Sequence, residues 1–333
     1  MEIHKKIIVL GSGNSGSGAV YDYLAGRRDI SKPLDKEFRL IQDPGGLADL
    51  HDVYSLGYDP ERASETINEF IDFCNRCGRS NRLFGYYFNA RYGNGYALLL
   101  DNYFQKVRDF LDSISERIDG ENRSAGAALP FVPAAQEKIA EFLRRVNGKE
   151  LRQGYFVPAV DEAEFLKQCE RFLNELLPMK NWEKNPQSGV VIDQGGSFWA
   201  PESSTLYYGE NRKVVVVSRD PRGVFNSFKT KGLAYPGNDV ELFCEWYRAV
   251  MKHINQKEWH SNKILHVEYE TFVTHFDKEK GKLDKFLEID EDVVTSADMK
   301  KSAFNARKYQ HLLTEEENEI ISSKLSEYLS EVE

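Results

Sequence analysis

Small polar residues crowd a short segment near the start of the chain, and their spacing suits the binding of an anion. The segment, Gly11–Gly18 (GSGNSGSG), follows an apolar run and precedes residues with helical spacing. Glycines let the backbone turn sharply and approach a ligand without a Cβ clash. Serine hydroxyls and a helix N-terminus add donors to the same place. We therefore predict a phosphate-binding loop, hereafter the phosphate loop, made of Ser12, Gly13, Asn14, Ser15, Gly16, Ser17 and Gly18.

The phosphate loop departs from the pattern of nucleotide hydrolases. A Walker loop needs a Lys-Ser/Thr pair, but no lysine occurs between Lys6 and Lys32. The spacing Gly11-x-Gly13-x-x-Gly16 also fits a dinucleotide fingerprint, for which Glu37 is a loose candidate as the acidic partner. A glycine-rich turn without any ligand is the third alternative. The first segment alone leaves these alternatives open.

A second segment places an arginine and a serine where a phosphate group could bind. An apolar run ends at residues 218–222, SRDPR, and Pro221 favours the first turn of a following helix. Ser227 then lies about two turns into that helix. Arg219 falls at the carboxyl end of a strand, the edge at which open α/β sheets bind ligands. A guanidinium fork suits a phosphate monoester, although an ion pair between Arg219 and Asp220 is the structural alternative.

Together the two segments resemble the sulfotransferase superfamily, whose members use 3′-phosphoadenosine 5′-phosphosulfate (PAPS). In that family the first loop binds the 5′-phosphosulfate, and the arginine and serine of the second segment bind the 3′-phosphate. The chain matches the second motif at Arg219 and Ser227. In the first it carries Asn14 where a basic residue is usual, and Gln194 stands where relatives often have lysine. The resemblance implies PAPS as co-substrate, 3′,5′-ADP as product and no metal.

Two later segments are similar to the family in the same order along the chain. Residues 263–272, KILHVEYETF, look like its late strand and the turn that follows. Residues 302–316 look like the C-terminal loop that closes over the nucleotide. Arg307 and Lys308 are therefore candidates for binding the 3′-phosphate, with a solvated basic pair as the alternative.

The general base is not fixed by the sequence. In the glycosaminoglycan branch of the family, a Glu-Pro pair or a histidine just beyond the second strand does this work. Asp43, followed by Pro44, resembles that position, and His51 lies shortly beyond it. Asp193 is a second carboxylate at a strand's carboxyl end. We favour Asp43, although each carboxylate could instead cap a turn or a helix.

The elements that must position these residues alternate between strands and helices. We predict strands at 5–11, 37–42, 189–193, 213–218 and 263–267, and a helical stretch at 60–178 with helices at 61–77, 102–118, 134–146 and 162–177. The expected fold class is α/β, with a P-loop-like parallel sheet flanked by helices and a large, mainly helical insert after the second strand. The PAPS-binding core would comprise 1–58 and 185–333, and the insert 59–184.

The insert is the natural place for acceptor specificity. Residues 83–100 are rich in tyrosine and phenylalanine, whose flat faces suit the apolar faces of sugar rings. The polar side chains beside them suit sugar hydroxyls, and a hydrophobic core of the insert itself is the alternative reading of the aromatic residues. The candidate substrate-binding residues are Arg91, Tyr92 and Asn94.

Composition limits the partners. The 333-residue chain has a formal net charge of −9, which argues against nucleic acid and anionic membranes. We see neither a signal peptide nor an apolar stretch that approaches a membrane span, so we expect a cytoplasmic protein. The pair Cys74-x-x-Cys77 lacks the second half of a zinc site, so we expect no metal. The oligomeric state does not follow from the sequence.

These observations support two classes of function. The first is a PAPS-dependent sulfotransferase that acts on a hydroxyl or amine of a carbohydrate or other small acceptor. The second is a non-catalytic nucleotide-binding or scaffold protein derived from the same fold, suggested by Asn14 and Gln194 in place of cationic residues. A kinase is disfavoured because the Walker lysine is missing.

Overall fold

The computed structural model describes residues 5–79, 82–83, 86–87, 94–118, 151, 153–178, 188–231, 234–252, 261–306 and 311–330. The candidate residues Arg91, Tyr92, Arg307 and Lys308 lie outside these ranges. The chain forms two compact units. The first unit comprises Met1–Phe38, Met179–Leu206 and Glu210–Glu333, and the second comprises Arg39–Pro178 and Tyr207–Gly209. The insert boundaries at 59 and 184 and the acceptor role of the insert stay predictions.

The described residues form both strands and helices. The strands are β1 (Lys6–Gly11), β2 (Ile30–Ser31), β3 (Arg82–Leu83), β4 (Tyr86–Tyr87), β5 (Ser115–Ile118), β6 (Tyr155–Pro158), β7 (Gly189–Asp193), β8 (Arg212–Ser218) and β9 (Ile264–Glu268). The helices are α1 (Ser17–Ala25), α2 (Leu47–Ser55), α3 (Pro60–Gly78), α4 (Tyr96–Leu99), α5 (Tyr103–Ile114), α6 (Glu162–Leu176), α7 (Pro201–Ser204), α8 (Pro221–Thr230), α9 (Ala234–Gly237), α10 (Val240–Lys252), α11 (Tyr269–Thr274), α12 (Phe276–Leu287), α13 (Met299–Ala306) and α14 (Glu315–Lys324).

The first unit is organised around a parallel sheet. Its five strands lie in the order β2-β7-β1-β8-β9, and every neighbouring pair is parallel. All residues of β1 are buried, as expected for a strand covered by helices on both faces. Val9 pairs with Asp193 on one side and with Val215 on the other, so the carboxyl ends of β1, β7 and β8 meet at one edge. This sheet and its flanking helices confirm the predicted fold class.

The prediction of a strand at residues 37–42 is wrong, because the second strand of the sheet is the two-residue β2. Residues 37–39 have no regular secondary structure and residues 40–42 form turns, although Leu40 and Ile41 are fully buried. Their carbonyl groups accept hydrogen bonds from the N–H groups of Leu47 (2.8 Å) and Ala48 (3.1 Å) in the first turn of α2. The apolar pattern therefore reflects a buried loop that satisfies a helix N-terminus.

The second unit contains less helix than the spacing of its apolar residues predicts. Predicted helices 61–77 and 162–177 correspond to α3 and α6, whereas helix 102–118 ends at Ile114. The next four residues form β5, which pairs antiparallel with β6. Because β6 begins nearly forty residues later, local spacing could not reveal this pairing. The predicted helix 134–146 lies outside the described residues, and no described helix is long and apolar enough to cross a membrane.

Candidate functional site

The phosphate loop lies at the carboxyl edge of the sheet, and several of its backbone N–H groups have no acceptor among the described residues. Asn14 (φ 64°) and Gly16 (φ 81°) adopt left-handed conformations, which turn successive N–H groups towards one concavity. Ser15 N–H donates to the Ser12 carbonyl at 3.0 Å and fixes the turn. No described residue accepts a hydrogen bond from the N–H groups of five further loop residues, which are Gly13, Asn14, Gly16, Ser17 and Gly18. Such a nest suits an anion.

At two positions of the segment Gly11–Gly18, close packing leaves room only for glycine. A Cβ on Gly11 would lie 2.0 Å from Ser15 Oγ, and one on Gly16 would lie 2.4 Å from a ring carbon of Tyr269. Ser15 is 1% exposed, and its Oγ has no hydrogen-bond partner among the described residues. A buried hydroxyl without a partner is costly, so this oxygen also fits a site that receives a ligand.

Gly16→Ala is therefore expected to destabilise the protein, because the new Cβ would meet Tyr269 and alanine disfavours a positive φ. The left-handed conformation alone costs roughly 1–2 kcal/mol. Gly18→Ala is the matched control, since no atom lies within 4 Å of a Cβ at that position. Urea unfolding of the two variants should show a loss of stability only for Gly16→Ala. Equal stability of both variants would contradict this packing.

Arg219 joins the second sequence motif to the phosphate loop. Its side chain is 8% exposed and lies along α8, where a Cβ on Gly223 would be only 2.7 Å from Arg219 Nε. Arg219 Nη1 donates to Ser227 Oγ at 3.0 Å and to the carbonyl oxygen of Asn14 at 3.2 Å. Asn14 and Ser227 therefore meet around the Arg219 guanidinium, although the two sequence motifs lie more than 200 positions apart in the chain.

The surroundings of Arg219 differ from the ion pair considered as the structural alternative. The Asp220 carboxylate accepts from Arg222 Nη2 at 2.6 Å, whereas Arg219 Nε lies 3.7 Å from Glu270 Oε1. Burial raises the pKa of Glu270 to about 7, although Arg219 lowers it. Arg219 also lies over the Tyr269 ring, 4.8 Å from its centroid. Neither Arg219 Nε nor Glu270 Oε1 has a hydrogen-bond partner among the described residues.

Gln194 ties the end of β7 to both ends of the phosphate loop. Its backbone is left-handed (φ 52°), and its Oε1 accepts from the Gly11 N–H at 3.3 Å. Its Nε2 is 3.0 Å from Ser17 Oγ, to which it donates. The sequence indicated Gln194 only as a departure from lysine. The structure gives this side chain a role in holding the loop, which requires an amide because it both accepts and donates.

Asp193 is a half-buried carboxylate with one buried, unused oxygen, and it lies in the same unit as the phosphate loop. It ends β7 directly before Gln194, and its Oδ1 has no hydrogen-bond partner among the described residues. Burial first, and then the neighbouring carboxylates of Glu37 and Asp22, together raise the pKa of Asp193 from 3.8 to about 6. Asp193 therefore has an oxygen free to accept a proton and a pKa close to neutral pH, as a general base requires.

The raised pKa of Asp193 predicts a pH-dependent stability effect. The folded protein favours the protonated carboxyl, so this contribution to stability is complete below pH 3.8 and is lost as the pH rises through about 6. Asp193→Asn removes the buried charge and should raise the free energy of unfolding above pH 7 more than at pH 4. Urea unfolding at both pH values checks this. A variant less stable than wild type at high pH would contradict it.

Asp43 lies in the second unit and forms a two-point ion pair. Its Oδ1 is 2.8 Å from Arg39 Nη2, and its Oδ2 accepts from Arg39 Nε at 3.0 Å. Both carboxylate oxygens are therefore engaged by one guanidinium group. In contrast, Oδ1 of Asp193 has no hydrogen-bond partner among the described residues.

His51 and Asn94 are also engaged within the second unit. His51 Nε2 is 3.1 Å from Glu162 Oε1, and its Nδ1 is 3.3 Å from the Tyr207 hydroxyl oxygen. Both ring nitrogens of His51 thus have partners. Asn94 Nδ2 lies 3.9 Å from Cys77 Sγ, a distance at which sulfur accepts a weak hydrogen bond. The acceptor role of Asn94 stays a prediction.

The Lys231 ammonium group contacts the phosphate loop and was not predicted from the sequence. Lys231 follows the last residue of α8, and its Nζ donates to Asn14 Oδ1 at 2.5 Å. Its position four residues after Ser227 puts both on one helical face, which is the signal that could have revealed it.

Metal-binding side chains are dispersed over the described residues. No three His, Cys, Asp or Glu side chains in those ranges are close enough to hold an ion. Cys74 and Cys77 are buried free thiols, and burial raises the pKa of Cys77 to about 12. A protonated thiol is a poor metal ligand.

Comparison with known proteins gives similarity to solved structures only. No family model and no curated protein matches the chain. The sulfotransferase domain of the Synechococcus PCC 7002 olefin synthase is 13% identical, covering 96% of this chain and 93% of that one, with a TM-score of 0.43. The sulfotransferase domain from the curacin biosynthetic pathway is 13% identical, covering 98% of each chain, with a TM-score of 0.38.

Sulfotransferase STF9 from Mycobacterium avium is 12% identical, covering 100% of this chain and 78% of that one, with a TM-score of 0.37. All three are sulfotransferases, the superfamily that the two sequence motifs resemble.

Proposed function

We propose that the protein is a sulfotransferase that moves the sulfuryl group of PAPS to a hydroxyl or amine of a small acceptor, with carbohydrates as the favoured class. The observation that carries this proposal is the contact of Arg219 Nη1 with both Ser227 Oγ (3.0 Å) and the Asn14 carbonyl (3.2 Å). It joins a loop suited to one phosphate with a guanidinium suited to another. A nucleotide with phosphates at both ends of its ribose has this pattern.

The polar groups of the first unit fit such a ligand. The unclaimed N–H groups of the phosphate loop and the unpartnered Ser15 Oγ would hold the 5′-phosphosulfate. Arg219 and Ser227 would hold the 3′-phosphate, for which a bidentate guanidinium is well suited. Arg307 and Lys308 remain candidates for the same phosphate.

The reaction would be an in-line displacement at sulfur. The bond from sulfur to the bridging phosphate oxygen breaks while a bond to the acceptor oxygen or nitrogen forms, and the acceptor proton passes to a base. Positioning and stabilisation of the developing charge dominate such transfers. The loop N–H groups would stabilise the departing phosphate.

We propose Asp193 as the general base, in place of Asp43, which the sequence favours. A base needs a free lone pair within reach of the acceptor proton. Asp193 has an unpartnered oxygen and a pKa raised by burial to about 6. Both oxygens of Asp43 accept from Arg39.

A non-catalytic nucleotide-binding protein is the second candidate. Gln194 supports it, because its neutral side chain bridges Gly11 and Ser17 where relatives often have a cation. The decisive experiment incubates the protein with PAPS and a panel of sugars, phenols and amines. A sulfotransferase releases 3′,5′-ADP and adds the mass of one SO₃ group to an acceptor. Binding of 3′,5′-ADP without turnover on any acceptor would favour the second candidate.

Transfer is expected to survive treatment with EDTA. The phosphate loop lacks the Lys-Ser/Thr pair that holds magnesium in nucleotide hydrolases, and sulfuryl transfer needs no metal for charge stabilisation when N–H donors and cations surround the leaving group. Assays before and after chelation, with metal analysis of the purified protein, check this. Loss of activity on chelation that Mg²⁺ restores would favour phosphoryl transfer.

A further inference from the structure

We infer that Lys231 supplies the cation that the phosphate loop itself lacks and binds the 5′-phosphosulfate end of the nucleotide. This inference rests on the proposed function. The chain has no lysine or arginine between Lys6 and Arg27, so the loop brings no positive side chain of its own. A doubly anionic 5′ group held by N–H dipoles alone would be incompletely neutralised. The charge must therefore come from another element.

The ammonium group of Lys231 supplies a positive charge next to Asn14 in the phosphate loop. Lys231 Nζ donates to Asn14 Oδ1 at 2.5 Å, while Arg219 Nη1 donates to the Asn14 carbonyl at 3.2 Å. Two cations from opposite ends of α8 thus hold Asn14, which sits where relatives carry a basic residue. Asn14 is left-handed, a conformation that asparagine tolerates better than most residues.

The position of Lys231 follows from the face of α8 that the loop uses. Gly223, Ser227 and Lys231 succeed one another at intervals of four residues and share that face. Gly223 leaves room for the Arg219 side chain, Ser227 bonds its guanidinium, and Lys231 continues the row. The Lys231 N–H donates to the Ser227 carbonyl at 3.2 Å, which anchors its backbone to the helix end.

Within the described part of the chain, no acid cancels the charge of Lys231. Its partner is a neutral amide oxygen, and no described carboxylate lies within ion-pair distance. Lys229, two residues earlier, differs because both carboxylate oxygens of Glu317 accept from it, at 2.7 and 2.9 Å. Lys231 therefore keeps an uncompensated positive charge beside the loop, where an anion would meet it.

The test measures the affinity of the full chain for three nucleotides by calorimetry. Lys231→Met should weaken binding of 3′,5′-ADP and 5′-AMP by the same factor, roughly 10- to 100-fold, as expected for loss of a charged hydrogen bond. Binding of 3′-AMP, which lacks the 5′ group, should not change. Lys229→Met is the matched control, since it removes the same charge from the same helix, and its affinities should equal those of wild type.

Two further variants keep the inference falsifiable. Lys231→Arg should retain most of the affinity, and Asn14→Lys should restore 3′,5′-ADP binding to Lys231→Met by returning a cation to the loop. Unchanged 3′,5′-ADP affinity in Lys231→Met, or an effect confined to 3′-AMP, would overturn the assignment of Lys231. Failure of wild-type protein to bind 3′,5′-ADP would instead overturn the proposed function, so the two failures are distinguishable.

Discussion

Asp193→Asn is expected to lower kcat by roughly 10²- to 10⁴-fold, the range for loss of a general base. The substitution keeps the shape of the side chain and removes its proton acceptor. Wild-type activity should rise with pH through about 6, because the carboxylate must be deprotonated to act and burial raises its pKa to that value. Affinity for 3′,5′-ADP should change little, because the base acts on the acceptor side of the sulfuryl group.

Asp43→Asn and His51→Ala are the comparison variants for this experiment. The Asp43 carboxylate is engaged by Arg39, and both ring nitrogens of His51 have partners. We expect both variants to retain more of kcat than Asp193→Asn. If Asp43→Asn abolishes turnover while Asp193→Asn does not, the base predicted from the sequence is correct and Asp193 is a half-buried structural carboxylate. If none of the three changes kcat, the protein has no base at these positions.

Arg219→Ala is expected to reduce the affinity for 3′,5′-ADP by roughly 10²-fold or more, since charge-assisted hydrogen bonds contribute roughly 1.5–3 kcal/mol each. The variant should bind 3′,5′-ADP little better than 5′-AMP. In the wild-type protein, 3′,5′-ADP at 100 times its Kd should stabilise the fold by about 2.7 kcal/mol, and 5′-AMP at the same concentration by far less. Equal thermal shifts with the two nucleotides would exclude a 3′-phosphate site at Arg219.

Two variants separate lost binding from lost folding in this experiment. Arg219 is buried beside Glu270, so its removal also leaves a carboxyl group without its cation. Ser227→Ala removes a proposed ligand of the same phosphate and keeps the cation, so it should weaken 3′,5′-ADP binding to a smaller extent. Arg222→Ala is the control, since Arg222 is engaged by Asp220 and its loss should leave nucleotide affinity unchanged.

Structure is predicted best from the sequence where all the residues that determine it are adjacent in the chain. β1 and the phosphate loop are adjacent in the chain, and the run of apolar residues followed by glycines has one plausible geometry. The meeting of Arg219 with the loop follows because the carboxyl ends of parallel strands share an edge. This part of the site could be predicted without knowing how the rest of the chain folds.

Features that depend on distant partners were missed. β2 has two residues and is specified by its pairing with β7, more than 150 positions away, whereas the apolar run at 37–42 looks like a strand and is a buried loop. The contact of Lys231 with Asn14 spans 217 positions. The ranking of Asp43 above Asp193 came from motif position, which contains no information on the partner of each carboxylate.

The ring of Tyr269 would couple the binding of the two ends of the proposed nucleotide. A Cβ on Gly16 would clash with this ring, and the Arg219 guanidinium lies over it, with 4.8 Å between Arg219 Cζ and the ring centroid. One ring therefore borders both of the groups proposed to bind the two phosphates, and ordering it for one phosphate would leave less ordering to be done for the other. The binding energies of 3′-AMP and 5′-AMP should not sum to that of 3′,5′-ADP, and substitutions in the phosphate loop and at Arg219 should be thermodynamically coupled.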